Sequence, residues 1–223
     1  MRPDPAWLDQ TAYPFRSRHL SLSAGEMHYV DEGQGDAILL VHGTPTWSFE
    51  FRHLIAALST RHRCVAPDHF GFGLSGRPRA FAYTPEAHAA ALGEFVDRLG
   101  LDRFTLVVHD FGGPIGLPLA LRPQAPVRRL VILNAFAWLL GGAVGQSREF
   151  YQALLDGLPS LREVPTLFVS AMKDNPFQPY QLARWQALLP HAETVALEHA
   201  GHWPHEEEAK RVIAAVEQFL QRA

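Results

Sequence analysis

The chain is poor in cysteine, since Cys64 is the only one among its 223 residues. No internal disulfide can therefore form. No apolar run reaches the ~20 residues of a membrane-spanning helix, and the first residues lack the apolar centre of a secretion signal. A formal net charge of −3 provides no basic excess that would favour nucleic acid or anionic membrane. These absences predict a reduced, soluble, cytoplasmic protein that binds neither nucleic acid nor membrane.

Apolar residues, by contrast, are abundant and occur in short continuous runs. They make up 47% of the sequence, enough to bury a large core in a single domain over residues 1–223. Because the runs do not alternate apolar with polar residues, they are typical of strands buried on both faces. They lie at 37–41, 63–66, 104–108, 130–133, 166–169 and, more weakly, 194–197.

Helical patterns separate these runs. They fall at 49–58, 85–99, 179–189 and the end of the chain, where Val212, Val216 and Phe219 share one face. Two earlier stretches, 15–22 and 26–30, resemble an antiparallel pair that leads into the sheet. The alternation predicts an α/β fold: a mostly parallel, twisted sheet with helices on both faces.

Asp110 is the most informative residue. It follows the apolar run at 104–109 and precedes Gly112, Gly113 and a helical stretch at 114–122. A strand, a sharp turn and a helix with one reactive side chain at the apex form a nucleophile elbow, in which small residues let strand and helix approach closely. A carboxylate at the apex is already a nucleophile at neutral pH and can attack a saturated carbon directly. The element therefore predicts alkyl transfer followed by hydrolysis, rather than ordinary ester cleavage.

Further polar segments follow other strands of the predicted sheet. The segment HGTPTWS occupies 42–48, Lys173 and Asp174 follow the run at 166–169, and His202 follows the run at 194–197. Functional groups of parallel α/β sheets gather at the carboxyl ends of the strands. The chain order of nucleophile, acid and histidine is the order found with the α/β-hydrolase elbow.

These segments together resemble the haloalkane dehalogenase branch of the α/β-hydrolases, with epoxide hydrolases as close relatives. The resemblance rests on 42–48, on APDHFGFGLS at 66–75, on VHDFGG at 108–113, on Met172 to Asp174 and on His199 to His202. It implies an α/β-hydrolase fold that acts on a small molecule. It also implies Asp110 as nucleophile, His202 as general base and Asp174 as the acid that orients it, without metal or organic cofactor. The backbone N–H groups of Thr44 and Phe111 would form the oxyanion hole.

Other polar and aromatic residues near these motifs have simpler interpretations. Asp68 and His69 are expected to shape their loop, and His42 and His109 to be scaffold groups. A zinc site at His199, His202 and His205 is not expected, because Gly201 and Pro204 interrupt the helix that would align them. The tryptophans are by default packing residues; Trp138 and Trp47 are retained as tentative members of a leaving-group pocket.

The chain departs from the dehalogenase pattern in three places. Phe111 replaces the tryptophan whose indole N–H usually helps to hold the departing halide, and Thr44 replaces a side-chain amide. Only residues 135–165 are available for the cap that normally covers the pocket, and they contain one plausible helix at 146–155. This reduced cap could be natural, the result of a deletion, or a stretch from which residues are absent.

Two alternatives to a dehalogenase therefore remain. An epoxide hydrolase would use the same three residues but needs acids, usually two cap tyrosines, and the insertion contains only Tyr151. A catalytically degenerate binding protein of the same fold is the alternative of another class. Oligomeric state is not predicted.

Overall fold

A computed structural model describes residues 5–123, 126–140, 147–175 and 179–222. Its centre is one sheet of eight strands: β1 Arg18–Ser21, β2 Glu26–Glu32, β3 Ala37–Val41, β4 Arg63–Pro67, β5 Phe104–Asp110, β6 Val127–Ala135, β7 Thr166–Ala171 and β8 Glu193–Leu197. The strand order is β1-β2-β4-β3-β5-β6-β7-β8. The pairs β1–β2 and β2–β4 are antiparallel and the others are parallel. The predicted antiparallel lead-in and parallel sheet are confirmed.

Helices cover both faces of this sheet. They are α1 Arg52–Leu58, α2 Pro85–Leu99, α3 Gly112–Ala120, α4 Arg148–Gly157, α5 Pro179–Leu188, α6 Pro204–Glu207 and α7 Ala209–Arg222, with 3-10 turns at Ser48–Phe51 and Leu158–Glu163. Helix α2 has the bounds expected from the sequence, because Thr84 accepts a hydrogen bond from the Ala87 N–H and Gly100 ends the helix in a left-handed conformation. The helix predicted at 49–58 begins instead as a 3-10 turn.

The core lies in two layers, one on each side of the sheet. Strand β5 contributes Leu106 and Val108 to the layer under α2, α3 and α4, and Val107 to the layer under α1 and α7. Every residue of β5 is buried. A strand with apolar contacts on both faces has no polar positions to alternate with, which is why the sequence shows a continuous run.

The predicted insertion contains a helix that packs as part of the body of the fold. Helix α4 contacts α3, and its Tyr151 and Leu154 are buried in the same core layer as Phe136. The described part of residues 135–165 therefore covers the sheet from its flank. Residues 141–146 of the predicted cap lie outside the described residues. Among the described residues, no helix is both long and apolar enough to cross a membrane.

Candidate active site

The strand β5 delivers Asp110 to the predicted sharp turn. Asp110 has φ +50°, in the left-handed region that side chains other than glycine rarely adopt. Any side chain at Gly112 would collide with the Val41 carbonyl, and one at Gly113 with the Phe136 carbonyl. Two glycines thus let α3 leave the strand at once, and the turn holds the Asp110 carboxylate at the carboxyl edge of the sheet. Strained backbone of this kind is typical of functional turns.

The loop after β3 meets this carboxylate. The Thr44 N–H donates a hydrogen bond to Asp110 Oδ1 at 3.0 Å. A Cβ added to Gly43 would lie 2.5 Å from both Cβ and Oδ1 of Asp110, so only glycine permits this approach. Phe111, the next residue in the chain, is the N-cap of α3, so its N–H has no partner inside the helix. The Thr44 N–H thus binds the Asp110 carboxylate, and the Phe111 N–H adjoins that residue along the chain.

His202 links the two predicted aspartates. Its Nδ1 lies 2.9 Å from Asp174 Oδ2, and its Nε2 lies 3.7 Å from Asp110 Oδ2. The Asp174 side chain is fully buried, whereas the imidazole is 18% exposed. The first distance is a hydrogen bond, and the second is longer than one, as is common in active sites without substrate. The structure therefore brings together all three residues expected from the sequence.

Asn134 is a fourth polar residue in the cluster of Asp110, His202 and Asp174, and it was not predicted from the sequence. At the end of β6, its Nδ2 donates to Asp174 Oδ2 at 2.6 Å, and its Oδ1 accepts from the Ala171 N–H at 2.9 Å. The amide therefore orients the carboxylate that in turn orients His202. A polar residue that ends an apolar run was the available signal. The partner could not be read from it, because residues 134 and 174 meet only through the pairing of β6 with β7.

A second buried cluster lies directly behind these residues. His109 Nδ1 is 3.1 Å from Glu50 Oε1, and His109 Nε2 is 2.8 Å from the backbone oxygen of His202. His205 Nε2 is 4.0 Å from Glu50 Oε1. The side-chain nitrogen and oxygen atoms of Glu50, His109 and His205 lie within 4.8 Å of one another, but both His109 ring nitrogens face acceptors, which leaves no lone pair on this ring for a metal ion. His205 thus groups with these two residues, and not with His199 and His202 as in the zinc arrangement considered from the sequence.

The aromatic residues chosen for a leaving-group pocket have other contacts. Trp138 is 2% exposed, lies 5.0 Å from the Trp185 ring and carries the Arg184 guanidinium over its face. Trp47 packs 5.0 Å from the Tyr13 ring and 5.5 Å from the Phe49 ring. Packing accounts for both indoles, so their assignment to the pocket gains no support from these contacts.

Two other aromatic rings adjoin the cluster of Asp110, His202 and Asp174. Phe111 meets Phe136 edge to face at 5.0 Å, and Trp203 lies 4.8 Å from the His202 ring while remaining 37% exposed. Trp203 was expected from the sequence to be a packing residue.

The remaining motif residues support the loops. Asp68 is buried, and its carboxylate contacts His28 Nδ1 at 2.8 Å and accepts bonds from the Ser48 and Leu74 N–H groups. His42 Nε2 accepts from the His69 N–H, and His42 Nδ1 donates to the Gly43 carbonyl. These contacts fit the structural interpretation of Asp68, His69 and His42.

Two surface depressions lie at the opposite edge of the sheet. Their volumes are about 700 and 670 Å³, and they border the amino ends of β3, β5 and β6 near Asp102 and Arg128. The side chains with paired acid and base chemistry are at the other edge. Neither depression includes a residue of the Asp110 cluster.

A parallel sheet with an acidic elbow and a histidine held by a second acid defines an α/β-hydrolase. The family model of the alpha/beta hydrolase fold matches residues 36–141 and 138–209, and the chain belongs to this family. The two matched stretches meet at 138–141, inside the connection between β6 and α4.

Curated relatives place the resemblance more narrowly. Haloalkane dehalogenase 2 of Mycobacterium tuberculosis (strain ATCC 25618 / H37Rv) is 52% identical over 130 residues, which are 58% of this chain and 46% of that protein. The chain thus spans about half the length of this relative. A cis-3-alkyl-4-alkyloxetan-2-one decarboxylase of Shewanella oneidensis is 30% identical over 285 aligned positions, covering 94% of this chain and 90% of that protein. This alignment is longer than the 223-residue chain, so part of the decarboxylase has no counterpart here.

Solved structures share the fold at low sequence identity. The haloalkane dehalogenase DatA from Agrobacterium tumefaciens C58 has a TM-score of 0.84 at 18% identity, covering 93% of this chain and 96% of that chain. A putative ancestral haloalkane dehalogenase, AncHLD2, has a TM-score of 0.79 at 20% identity, covering 92% of this chain and all of that one. The predicted fold class and the resemblance to the dehalogenase branch are confirmed.

Proposed function

We propose that the chain is a hydrolase that acts through an ester between substrate carbon and Asp110, with haloalkanes as the leading substrate class. The observation that carries this proposal is the placement of the two Asp110 oxygens. Oδ1 accepts from the Thr44 N–H at 3.0 Å, and Oδ2 lies 3.7 Å from His202 Nε2. One oxygen is held by a backbone donor, and the other faces the proposed base.

The first step needs only the carboxylate. Asp110 Oδ2 attacks the carbon that bears the halogen, a carbon–oxygen bond forms, and the halide leaves with the electron pair of the carbon–halogen bond. Oδ1 becomes the carbonyl oxygen of the ester and stays beside the Thr44 N–H.

The second step uses His202. The imidazole takes a proton from water, and the resulting hydroxide attacks Cγ of Asp110. Negative charge then develops on Oδ1, where Thr44 and Phe111 offer backbone donors. Collapse expels the alkoxide, which takes the proton from His202 to give the alcohol, and Asp110 is left as a carboxylic acid that loses its proton to solvent to restore the carboxylate. Asp174, held by Asn134, stabilises the imidazolium in between.

A second candidate reaction is suggested by the decarboxylase from Shewanella oneidensis, whose match extends over 94% of this chain. Its substrate class is a four-membered lactone with alkyl groups on ring carbons 3 and 4. Attack by Asp110 on carbon 4, the alkyl-bearing carbon next to the ring oxygen, would break its bond to that oxygen and free a carboxylate that stays attached to the substrate. Loss of carbon dioxide, with formation of a carbon–carbon double bond, would then expel Asp110.

The lactone reaction is compatible with the absence of the two side-chain donors that dehalogenases usually have at positions 44 and 111. Because the leaving carboxylate remains part of the substrate, no halide has to be held, and neither Phe111 nor Thr44 needs to supply a side-chain donor. The reaction also consumes no water, so it makes less use of His202 than ester hydrolysis does.

One experiment separates these readings. Purified protein is incubated with 1-bromobutane, 1-iodobutane, an alkyl epoxide, an activated ester and a dialkyl β-lactone, while halide, diol, acid and alkene are measured separately. The His202→Gln variant is treated in parallel and its intact mass is recorded. We expect halide release from the parent and a butyl adduct on Asp110 in the variant.

Other outcomes redirect or remove the proposal. Alkene without halide would favour the lactone reaction, and diol without halide would favour an epoxide hydrolase. An adduct on any residue other than Asp110 contradicts the mechanism. Absence of product from every substrate would favour the degenerate binding protein.

A further inference from the structure

The cluster of Glu50, His109 and His205 has no part in the mechanism above, although it touches the mechanism's residues. All three side chains are at most 4% exposed. Glu50 lies in the 3-10 turn after the Thr44 loop, His109 precedes Asp110 in β5, and His205 lies in α6, just after His202. Their charges and hydrogen bonds therefore act directly behind the proposed nucleophile and base.

The hydrogen bonds of His109 specify its protonation. Its Nδ1 faces the Glu50 carboxylate at 3.1 Å and its Nε2 faces the His202 carbonyl at 2.8 Å. A carboxylate and a carbonyl can only accept, and a neutral imidazole has only one N–H, so a ring that donates to both is an imidazolium. Burial alone would lower the pKa of His109, but the charge and hydrogen bond of Glu50 raise it to about 9.

Glu50 is equipped to remain ionised. Burial alone would raise its pKa, but the charge and hydrogen bond of His109 lower it to about 2. The Thr46 hydroxyl also donates to Glu50 Oε2, and the Gly43 N–H lies 3.4 Å from Oε1. Glu50 thus ties the loop that carries Thr44 to the strand that carries Asp110.

His205 is the neutral member of the cluster. Its two ring nitrogens have no hydrogen-bond partner among the described residues. Burial and then the charge of His109 lower its pKa to about 3. A single positive charge, on His109, therefore balances the charge of Glu50.

We propose that the buried Glu50–His109 ion pair is a positioning device for His202. The imidazolium holds the His202 carbonyl from inside the protein, while the Glu207 carboxylate accepts from the Gly201 and Trp203 N–H groups on the solvent side. The backbone around His202 is therefore held by hydrogen bonds on its buried side and on its solvent side. Because His109 is also the neighbour of Asp110, one ring sets the position of the base relative to the nucleophile.

This inference rests on the proposed function and makes a sharper statement about it. His202 acts only in hydrolysis of the ester, whereas Asp110 attacks substrate without help from a base. Displacing His202 should therefore slow the second step and spare the first. A variant that merely loosened the fold would reduce the amount of active protein and leave the ratio of the two steps unchanged.

The test compares Glu50→Gln with the parent on 1-iodobutane, by rapid quench and intact mass. Glutamine keeps the volume and removes the charge, so His109 becomes a neutral imidazole and its hydrogen bond to the His202 carbonyl is no longer charge-assisted. We expect hydrolysis to slow by about tenfold, because a charge-assisted hydrogen bond is about twice as strong as a neutral one, with alkylation changed less than about threefold. The alkyl-enzyme should accumulate. Glu50→Asp, which retains the charge, should recover part of the hydrolysis rate.

Asp68→Asn is the matched control. It breaks another buried acid–histidine pair, in which His28 Nδ1 lies 2.8 Å from Asp68 Oδ2, and the described contacts of Asp68 do not include Asp110, Asp174 or His202. It should lower thermal stability without changing the ratio of the two steps. If Glu50→Gln fails to fold, Thr46→Val takes its place, because it removes a donor to Glu50 and should give a smaller shift of the same ratio.

Three results would overturn the inference. Glu50→Gln or its replacement could keep the step ratio of the parent, or Asp68→Asn could shift that ratio equally. Elemental analysis could also find a stoichiometric metal whose removal by chelator reproduces the defect. Failure of His202→Gln to trap any adduct is a different result, since it removes the proposed function itself.

Discussion

Asn134 and Asp174 are joined by a 2.6 Å hydrogen bond that ends on the same carboxylate oxygen as His202 Nδ1. Two donors therefore fix one oxygen of a buried acid. Asn134 has φ +38°, in the left-handed region that asparagine tolerates better than most residues. Alignment of the proposed base with the nucleophile thus starts from a residue that touches neither.

Loss of this amide should weaken hydrolysis. Asn134→Ala removes the donor to Asp174 and leaves the carboxylate free to rotate, so we expect the turnover number to fall about tenfold or more. Asn134→Asp should be worse, because it places a like charge beside Asp174. Steady-state kinetics on one iodoalkane, with thermal denaturation of each variant, checks both. Activity equal to that of the parent in both variants would mean that the Asn134 amide only supports the fold.

The missing side-chain donors at Phe111 and Thr44 predict a preference among halides. A donor to a charged group is worth about 1.5–3 kcal/mol, so each absent donor could slow halide departure by roughly 10- to 100-fold. We expect weak activity that favours iodides and bromides over chlorides, whose departure needs more help. Phe111→Trp combined with Thr44→Asn should accelerate chlorides more than iodides. Halide release across one alkyl series measures this, and strong chloride activity in the parent would show that another donor already acts.

Gly43 provides a geometric prediction. Gly43→Ala would place a Cβ 2.5 Å from Asp110 Cβ and Oδ1, so the nucleophile or its loop must move. Displacements of about 1 Å cost enzymes on the order of 100-fold in rate, and we expect a loss of that size. Gly76→Ala is the control, since its new Cβ would make a tight contact of 3.2 Å with the Glu26 backbone oxygen but would not reach Asp110. Activity and circular dichroism of both variants would separate local displacement from unfolding.

Buried histidines should make the fold sensitive to acid. Burial lowers the pKa of His88 to about 4. Below its ordinary value of about 6.5 the unfolded chain takes up a proton that the folded chain refuses, so stability falls as the pH drops from about 6.5 towards 4.

The variant His88→Phe tests this coupling. It should flatten the pH dependence by up to about 1.4 kcal/mol per pH unit, the value for one proton. Phenylalanine suits the site, since His88 already packs 4.9 Å from the Phe81 ring. Urea denaturation at pH 7, 6 and 5 measures the slope, and His199→Gln, at an exposed histidine, is the control. An unchanged slope in His88→Phe would show that His88 does not carry the effect.

Elements whose bounds are set by neighbouring residues could be predicted from the sequence. The run at 37–41 has the bounds of β3, and Pro85–Leu99 those of α2, because a buried strand and a capped helix are defined by neighbouring residues. Strand β6 was harder: the run at 130–133 corresponds to Val127–Ala135, whose polar Arg128, Arg129 and Asn134 hide both ends.

In the candidate site, too, residues in local motifs could be predicted, whereas partners distant in the sequence could not. Asp110, Asp174 and His202 stand in motifs that each follow a strand, so their meeting at one edge could be anticipated. Asn134 and Glu50 could not be paired from the sequence, because their partners lie 40 and 59 residues further along the chain. Such contacts follow from strand order and side-chain direction, which no local pattern contains.

The connection between β6 and α4 is anchored at both ends by packing. Phe136 and Trp138 are buried before it and Tyr151 after it, so packing fixes the described residues on both sides of the connection. Closing a longer flexible loop costs only about 0.6 kcal/mol for each doubling of its length. Residues 140–147 are accordingly a suitable insertion site: a cap from a longer member of the α/β-hydrolase family could be inserted there to change substrate selectivity, while every residue that aligns His202 with Asp110 stayed in place.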